Sequence, residues 1–489
     1  MFDARSVKRL VILLAVLAAG GIAVPSMAQM GGSIERSIVS NAVQNATQSA
    51  RDRQKGTAAS KTAKADTKAK SAPELASVPK ERKESKKPAS GAPQQATRNP
   101  SGVPPAGEQR YVPNEVVIEV AGSMTSQQIG TLVQRFRLTN LESFNFQLDG
   151  TTLLRLRIPD RRSVTTVVRA LETDASVLFA QPNYLYALVE DKKPAASPGE
   201  GDPPEYMPEK MRLKEAHQLA RGSKVLVAVI DSGIDVAHPD LAGDIVDTFD
   251  AIGTGEKVHA HGTAIAGGIA AHGRLLGAAP DAQILAVRAF AGTGRADNGT
   301  TFAIMKGLDW SVLRGARVIN MSFSGPLQDP GVTRGIASAY AKNVIMVAAA
   351  GNKGASSPPL FPAADPNVIA VTSTDGDDQL PPFANRGPHV AVAAPGVDLI
   401  LLAPNNGVQK NSGTSFSAAF VTGTVALMVE RKPSLTPTAA RQALMKSARR
   451  LEPVNDQSGG GLVDAYQAML AVAPLEASET QVMPAANRQ

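Results

Sequence analysis

The 489-residue chain contains no cysteine. That absence excludes disulfide staples, thiol nucleophiles and zinc sites built on thiolates. A small exported domain without disulfides is marginal, so the folded part must be large enough to bury an extended core. No strand leads into a Gly-x-Gly-x-x-Gly or phosphate loop, which argues against nucleotide binding. The net charge of +7 is not spread along the chain: between Arg51 and Lys87, 12 Lys/Arg stand against 5 Asp/Glu, the whole excess. That stretch carries no aromatic residue, and stacking on single-stranded nucleic acid needs such platforms. A solvated linker is the better reading, and no nucleic-acid partner is expected.

The remainder divides by composition. Residues 1–28 read as a signal peptide: Arg5, Lys8 and Arg9 precede the apolar Leu10–Val24, and Ser26-Met27-Ala28 presents small residues for cleavage. The mature chain is therefore expected in the periplasm or the medium. Residues 29–108, rich in Ser, Thr, Ala, Gln, Lys and Pro, are expected to be a disordered basic linker. Residues 109–191 alternate like a small α+β domain: strand from Val112 to Val120, helix from Ser126 to Phe136, strand from Thr151 to Ile158, helix from Ser163 to Glu172, strand from Val177 to Tyr186. Residues 192–208 form a second linker. From 209 to 473 the chain reads α/β, with a mainly parallel central sheet flanked by helices. Lys224–Ile230, Gln283–Val287, Val318–Met321, Val344–Ala350 and Val368–Val371 are continuous apolar runs, the mark of strands buried on both faces. Residues 474–489 are read as a polar tail too short for a membrane anchor.

Sheets of this kind place their sites beyond the carboxyl ends of the strands. Asp231 follows the first buried run in Ala228-Val-Ile-Asp-Ser-Gly-Ile-Asp235, where it can orient a histidine or cap a turn; Asp235 is the weaker local candidate. His261 opens the small-residue helix His261-Gly-Thr-Ala-Ile-Ala-Gly-Gly, with His259 as its competitor. Ser415, in Asn411-Ser-Gly-Thr-Ser-Phe-Ser-Ala-Ala, is expected to begin a helix. There it is either an N-cap or a nucleophile whose own N–H can stabilise an oxyanion, and spacing does not exclude Ser417. Asn352 ends the run Ala348-Ala-Ala-Gly-Asn and can donate a second hydrogen bond to such an oxyanion, or serve a turn beside Gly351 and Gly354.

Taken together, Asp-Ser-Gly, His-Gly-Thr and Gly-Thr-Ser-x-Ser-Ala, in that order, resemble the subtilisin-like serine proteases. Val318-Ile-Asn-Met-Ser-Phe-Ser-Gly325 and Phe361-Pro-Ala-Ala364 match further family segments. The resemblance implies a secreted serine endopeptidase in which Ser415 is the nucleophile, His261 the base and then acid, and Asp231 the group that fixes the imidazole tautomer. Asn352 and the Ser415 N–H would form the oxyanion hole. It also implies that residues 109–191 are an inhibitory propeptide and intramolecular chaperone, removed by self-cleavage between about Ala187 and Pro208. Ser322-Phe323-Ser324 and Ala349-Ala350-Gly351 are expected to flank the substrate. Leu360 falls at the base of the primary pocket and Lys353 at its rim, implying small side chains with acidic ones tolerated.

The helix after His261 reaches Leu276-Gly-Ala-Ala-Pro280 through only His272-Gly-Arg274, so the family's tight calcium loop is largely missing and Asp240 is left with few partners. No cofactor and no tight metal site are expected, although a weak calcium site is compatible with the sequence. Polypeptide substrates, the chain's own propeptide and a monomeric state are the expected partnerships. A binding protein on an inactive scaffold would normally lack a catalytic residue, and a transpeptidase would share the same acyl-enzyme.

Overall fold

The computed structural model describes residues 101–189, 205–255, 258–291, 299–325, 327–452 and 457–473. The expected signal peptide, nearly all of the basic linker, most of the second linker and the polar tail lie outside the described residues.

The N-terminal part is an antiparallel sheet of β1 (Tyr111–Ala121), β2 (Thr139–Phe146), β3 (Thr151–Arg157) and β4 (Val177–Leu188), in the order β4-β1-β3-β2. Two helices cover it, α1 (Ser126–Arg135) and α2 (Val164–Leu171). Thr125 and Gln128 make a reciprocal capping box at α1, and Ser163 caps α2. Three strands were expected and there are four. Strand β2 is polar and mostly exposed at the sheet edge, so it carries little of the apolar alternation by which strands are recognised. The linker was expected to run to residue 108, but residues 101–108 pack against this domain. Ser101 Oγ and Gly102 N–H both donate to Glu172, and Val103 lies on the apolar core.

The second part is built on seven parallel strands in the order β13-β12-β11-β9-β5-β7-β6. These are β5 (Leu226–Asp231), β6 (Ile245–Asp250), β7 (Gln283–Arg288), β9 (Val318–Met321), β11 (Ile345–Ala349), β12 (Val368–Thr374) and β13 (Val392–Pro395). Short strands β8 (Gly299–Thr300) and β10 (Phe323–Ser324) and the ribbon β14 (Leu399–Ala403) and β15 (Gly407–Asn411) lie outside it. Successive residues of β5 enter opposite cores: Val227 and Val229 join one, Ala228 and Ile230 the other. That is why these strands read as unbroken apolar runs.

The helices are α3 (Met207–Lys210), α4 (Leu213–Ala216), α5 (Ala260–Ala270), α6 (Thr301–Leu313), α7 (Pro330–Ala341), α8 (Thr414–Arg431), α9 (Pro437–Ser447) and α10 (Ala465–Val472). Met207 and Pro208 are already buried, so the domain begins slightly before the expected residue 209. Helix α8 is buried on every side from Thr414 to Val429, and its small residues allow close approach: a Cβ on Gly423 would sit 2.6 Å from Ala278 Cβ. From β5 the chain goes to β6 and β7 on one side and later to β9 and β11 on the other. The β5/β9 seam is therefore the switch point where a site is expected.

Candidate active site

Asp231 is the last residue of β5, at that seam, and is fully buried. Its backbone carbonyl accepts from Ala289 and Phe290 N–H, which fixes the strand end. Its Oδ1 accepts from Ser232 N–H at 2.7 Å, from Ser232 Oγ at 3.1 Å, and is 2.7 Å from Nδ1 of His261. A carboxylate can only accept, so the proton of this pair belongs on Nδ1 and leaves Nε2 as the basic nitrogen. His261 is the second residue of α5 and is itself buried. Its ring lies 5.9 Å, centroid to centroid, from that of Phe416, the residue after Ser415.

Ser415 is the second residue of α8 and is not its cap: Gly413 holds that position and no side chain caps the helix. Its Oγ is buried and makes no hydrogen bond among the described residues. Ser417, the rival by spacing, is committed elsewhere, donating to the carbonyls of Ala394 and Pro395 and meeting Ser373 Oγ. His259 is likewise occupied as the α5 cap, its Nδ1 accepting from His261 N–H. Asp235 holds a loop through the Ala237 and Asn405 amides.

Asn352 stands just past β11. Thr414 clamps its Oδ1 twice, from the backbone N–H at 3.1 Å and from Oγ1 at 2.8 Å. Thr414 Oγ1 in turn accepts from Gly351 N–H at 3.1 Å. The clamp turns Nδ2 away from Thr414, and Nδ2 makes no hydrogen bond among the described residues. Gly413 locates the target. A Cβ there would lie 3.1 Å from Asn352 Nδ2 and 3.2 Å from Ser415 Oγ, so both atoms border one small volume kept open by the missing side chain. A hydroxyl and an amide donor bordering such a volume, with an imidazole aligned by Asp231 and in ring contact with Phe416, can run acyl transfer with electrostatic stabilisation of a tetrahedral oxyanion.

Strand β4 of the N-terminal domain runs between two short strands beside this volume. Ser322 lies after β9, and its Oγ donates to the Ser415 carbonyl at 3.0 Å. Phe323 and Ser324 form β10 and pair antiparallel with β4, Phe323 opposite Leu188 and Ser324 opposite Ala187; Val189 N–H continues the ladder to Ser322 O at 3.0 Å. The opposite neighbour of β4 is β8, through Tyr186–Gly299 and Leu185–Thr300. Ala349-Ala350-Gly351 does not pair with β4. Both edges of β11 are used by β9 and β12, Ala350 N–H donates to Val371 O, and the Ala350 and Gly351 carbonyls accept from Asn385, so that segment has no free edge. Leu360 is buried, and its Cδ1 comes within 2.7 Å of the position of a Cβ on Gly351, whose φ of +116° also favours glycine. Lys353 is exposed, its N–H donating to Asn385.

Ser232, Gly413, Thr414 and the Gly299–Thr300 flank were not singled out from sequence. The first three sit inside the recognised motifs and act through backbone or hydroxyl contacts. The flank is a two-residue strand with no periodicity to read.

Asp240 is buried, with Oδ2 accepting from Leu275 N–H at 3.0 Å. Glu205 accepts from Leu276 N–H, and burial, together with the nearby Asp240 charge, pushes its carboxyl up to about 7. Among the described residues no three His, Cys, Asp or Glu side chains are grouped as metal ligands, and no helix is long and apolar enough to cross a membrane.

A model of the subtilase family matches residues 222–467, and a model of the fervidolysin N-terminal prodomain matches 97–183. The chain is 34% identical over 272 residues to thermitase of Thermoactinomyces vulgaris, covering 54% of this chain and 95% of that protein. It is 29% identical to a thermophilic serine proteinase of Bacillus sp. strain AK1, over 73% of this chain and 88% of the relative. Among solved structures, fervidolysin from Fervidobacterium pennivorans, a keratinolytic enzyme related to subtilisin, matches with a TM-score of 0.63 at 22% identity. That match covers 73% of this chain and 61% of fervidolysin.

Proposed function

The chain belongs to the subtilase family and is a subtilisin-like serine endopeptidase with a propeptide domain, and from that premise we propose that Ser415, His261 and Asp231 are its catalytic triad. His261 Nε2 removes the Ser415 hydroxyl proton as Oγ attacks the peptide carbonyl. Asp231 holds the proton on Nδ1 and stabilises the imidazolium that forms. Asn352 Nδ2 and the Ser415 N–H receive the oxyanion, and Thr414 positions Asn352. The imidazolium then gives its proton to the leaving amine. Water, activated by the same base, releases the acyl group.

The observation that carries this reading is the volume beside Gly413 bordered by Ser415 Oγ and Asn352 Nδ2, together with an Asp231-aligned His261 whose ring meets that of Phe416, the residue after Ser415. The propeptide supports it from the other side. Strand β4 runs between β8 and β10 as an extended peptide, and Ser322 touches both Val189 and Ser415. Main-chain pairing of this kind accepts any extended peptide. The propeptide thus acts as a tethered inhibitor, and the bond cut during maturation is the one following Val189, inside the expected 187–208 window. Val189 is a small apolar residue, as Leu360 at the pocket base would require, and Lys353 at the rim accommodates acidic side chains. Export through the N-terminal signal, a monomeric mature enzyme and the lack of a tight calcium site belong to the same proposal. For calcium, the support is that Asp240 is engaged by the Leu275 amide.

The test compares the wild-type precursor with Ser415→Ala by intact mass and by casein turnover. The wild type sheds its first 189 residues and digests casein; the variant does neither. A Ser415→Ala chain that still matures in pure form and digests casein would refute the assignment.

A further inference from the structure

We propose that Asn385 is a positioning residue for the oxyanion hole, because it fastens the backbone on both sides of Asn352. The inference rests on the protease reading above, in which Asn352 Nδ2 donates to the oxyanion.

Thr414 clamps the Asn352 side chain, but a side chain is placed only as well as the backbone that carries it. That backbone has little of its own to hold it. Strand β11 ends at Ala349, and Asn352 lies beyond it between Gly351 and Gly354, whose φ angles are +116° and +91°. Lys353, Ala355 and Ser356 beside it are exposed. A donor serves a transition state only when it is held within about 0.5 Å of the productive geometry, so this turn needs an outside anchor.

Asn385 supplies it. The residue is fully buried, and its carboxamide spans the turn. Its Oδ1 accepts from the N–H of Lys353, the residue after Asn352, at 2.8 Å. Its Nδ2 donates to the Ala350 carbonyl at 3.0 Å and to Ser357 Oγ at 3.2 Å. Its backbone N–H donates to the carbonyl of Gly351, the residue before Asn352, at 2.9 Å. Two residues earlier, the Phe383 carbonyl accepts from Gly354 N–H at 2.7 Å. Ala350, Gly351, Lys353 and Gly354 are thus all tied to residues 383–385, with Asn352 between them. Thr372 of β12 holds that segment in turn, its Oγ1 donating to the Asn385 carbonyl at 2.7 Å. The place calls for a carboxamide, which offers an acceptor and two donor hydrogens on one planar group; a carboxylate would set an oxygen against the Ala350 carbonyl.

The experiment measures kcat and KM of Asn385→Ala and Asn385→Ser on a chromogenic peptide, alone and combined with Asn352→Ala. Each precursor is matured by affinity-tagged wild-type enzyme that is then removed, and rates are taken per titrated active site. Loss of one hydrogen bond to a developing charge predicts a kcat about ten- to a hundredfold lower for Asn385→Ala, with KM within about twofold. Asn385→Ser falls between it and wild type. On the Asn352→Ala background either change lowers kcat by less than about threefold, because the donor it positions is already gone. A merely structural residue would instead lower the number of titratable sites, or raise KM, and would cost the same on both backgrounds. Such additivity, an unchanged kcat in Asn385→Ala or a rise in KM alone overturns the inference. So does a failure of both variants to fold, read as the loss of cooperative melting in Ser415→Ala precursors that carry them. If Asn352→Ala by itself leaves kcat at the wild-type value, the oxyanion assignment falls first; if wild-type enzyme digests no casein, the protease reading does.

Discussion

Gly413→Ala is the most economical probe of the oxyanion volume, because the structure specifies what the added atom does. The backbone at Gly413 is extended, with φ of 160°, so alanine adopts it without strain. The new methyl would sit 3.1 Å from Asn352 Nδ2 and 3.2 Å from Ser415 Oγ. An oxyanion must come within about 2.7–3.1 Å of its donors, so methyl and oxyanion compete for one place. Two hydrogen bonds to a charged acceptor are at stake, each worth about 1.5–3 kcal/mol. Their joint loss predicts a fall in kcat of about 10²- to 10⁴-fold. KM is expected to change little, because the donors act on charge that develops only in the transition state. The assay is steady-state kinetics on a chromogenic peptide, with thermal unfolding of the same preparation as control. Combining Gly413→Ala with Asn352→Ala should cost scarcely more than the worse single change, since both remove the same stabilisation. A variant that retains a third or more of wild-type kcat, or that loses activity only by unfolding, would refute this placement of the oxyanion hole.

Three further outcomes are expected. Leu360→Gly should open the primary pocket and raise kcat/KM for peptides cut after phenylalanine relative to valine by about ten- to a hundredfold, the worth of burying an aromatic ring; an unchanged ratio would place Leu360 outside the pocket. Glu205 has its folded pKa raised from 4.5 to about 7 by burial, so the stability linked to it is present below pH 4.5 and lost as pH rises through 7. Glu205→Gln should therefore gain melting temperature relative to wild type between pH 5 and 8, and parallel curves would contradict this. Calcium at 1 mM should shift the melting temperature only marginally over EDTA, whereas a micromolar site would add about 4 kcal/mol.

The layered α/β fold and the reaction class were legible in the order of the amino acids. Val227–Ile230 announce a strand buried on both faces because each residue enters one of two cores, and Asp231 follows it to the sheet edge. The small residues around Ser415 announce a fully buried helix for the same physical reason. Strand β2 escaped because only Phe144 and Phe146 at its end reach the core, too short a run for alternation to register.

Choosing among equivalent residues needed the tertiary structure. Ser415 and Ser417 are alike in sequence, and only the Ala394 and Pro395 carbonyls show that Ser417 is committed. His259 and His261 differ in that one caps a helix and the other meets Asp231. The pairing of β4 with Gly299–Thr300 was not legible because hydrogen-bond capacity is used pair by pair across the fold. No local pattern reveals that β11 has both edges filled while Gly299–Thr300 has one to give. Local sequence dictates propensity and burial; which polar groups remain uncommitted is decided by neighbours distant along the chain.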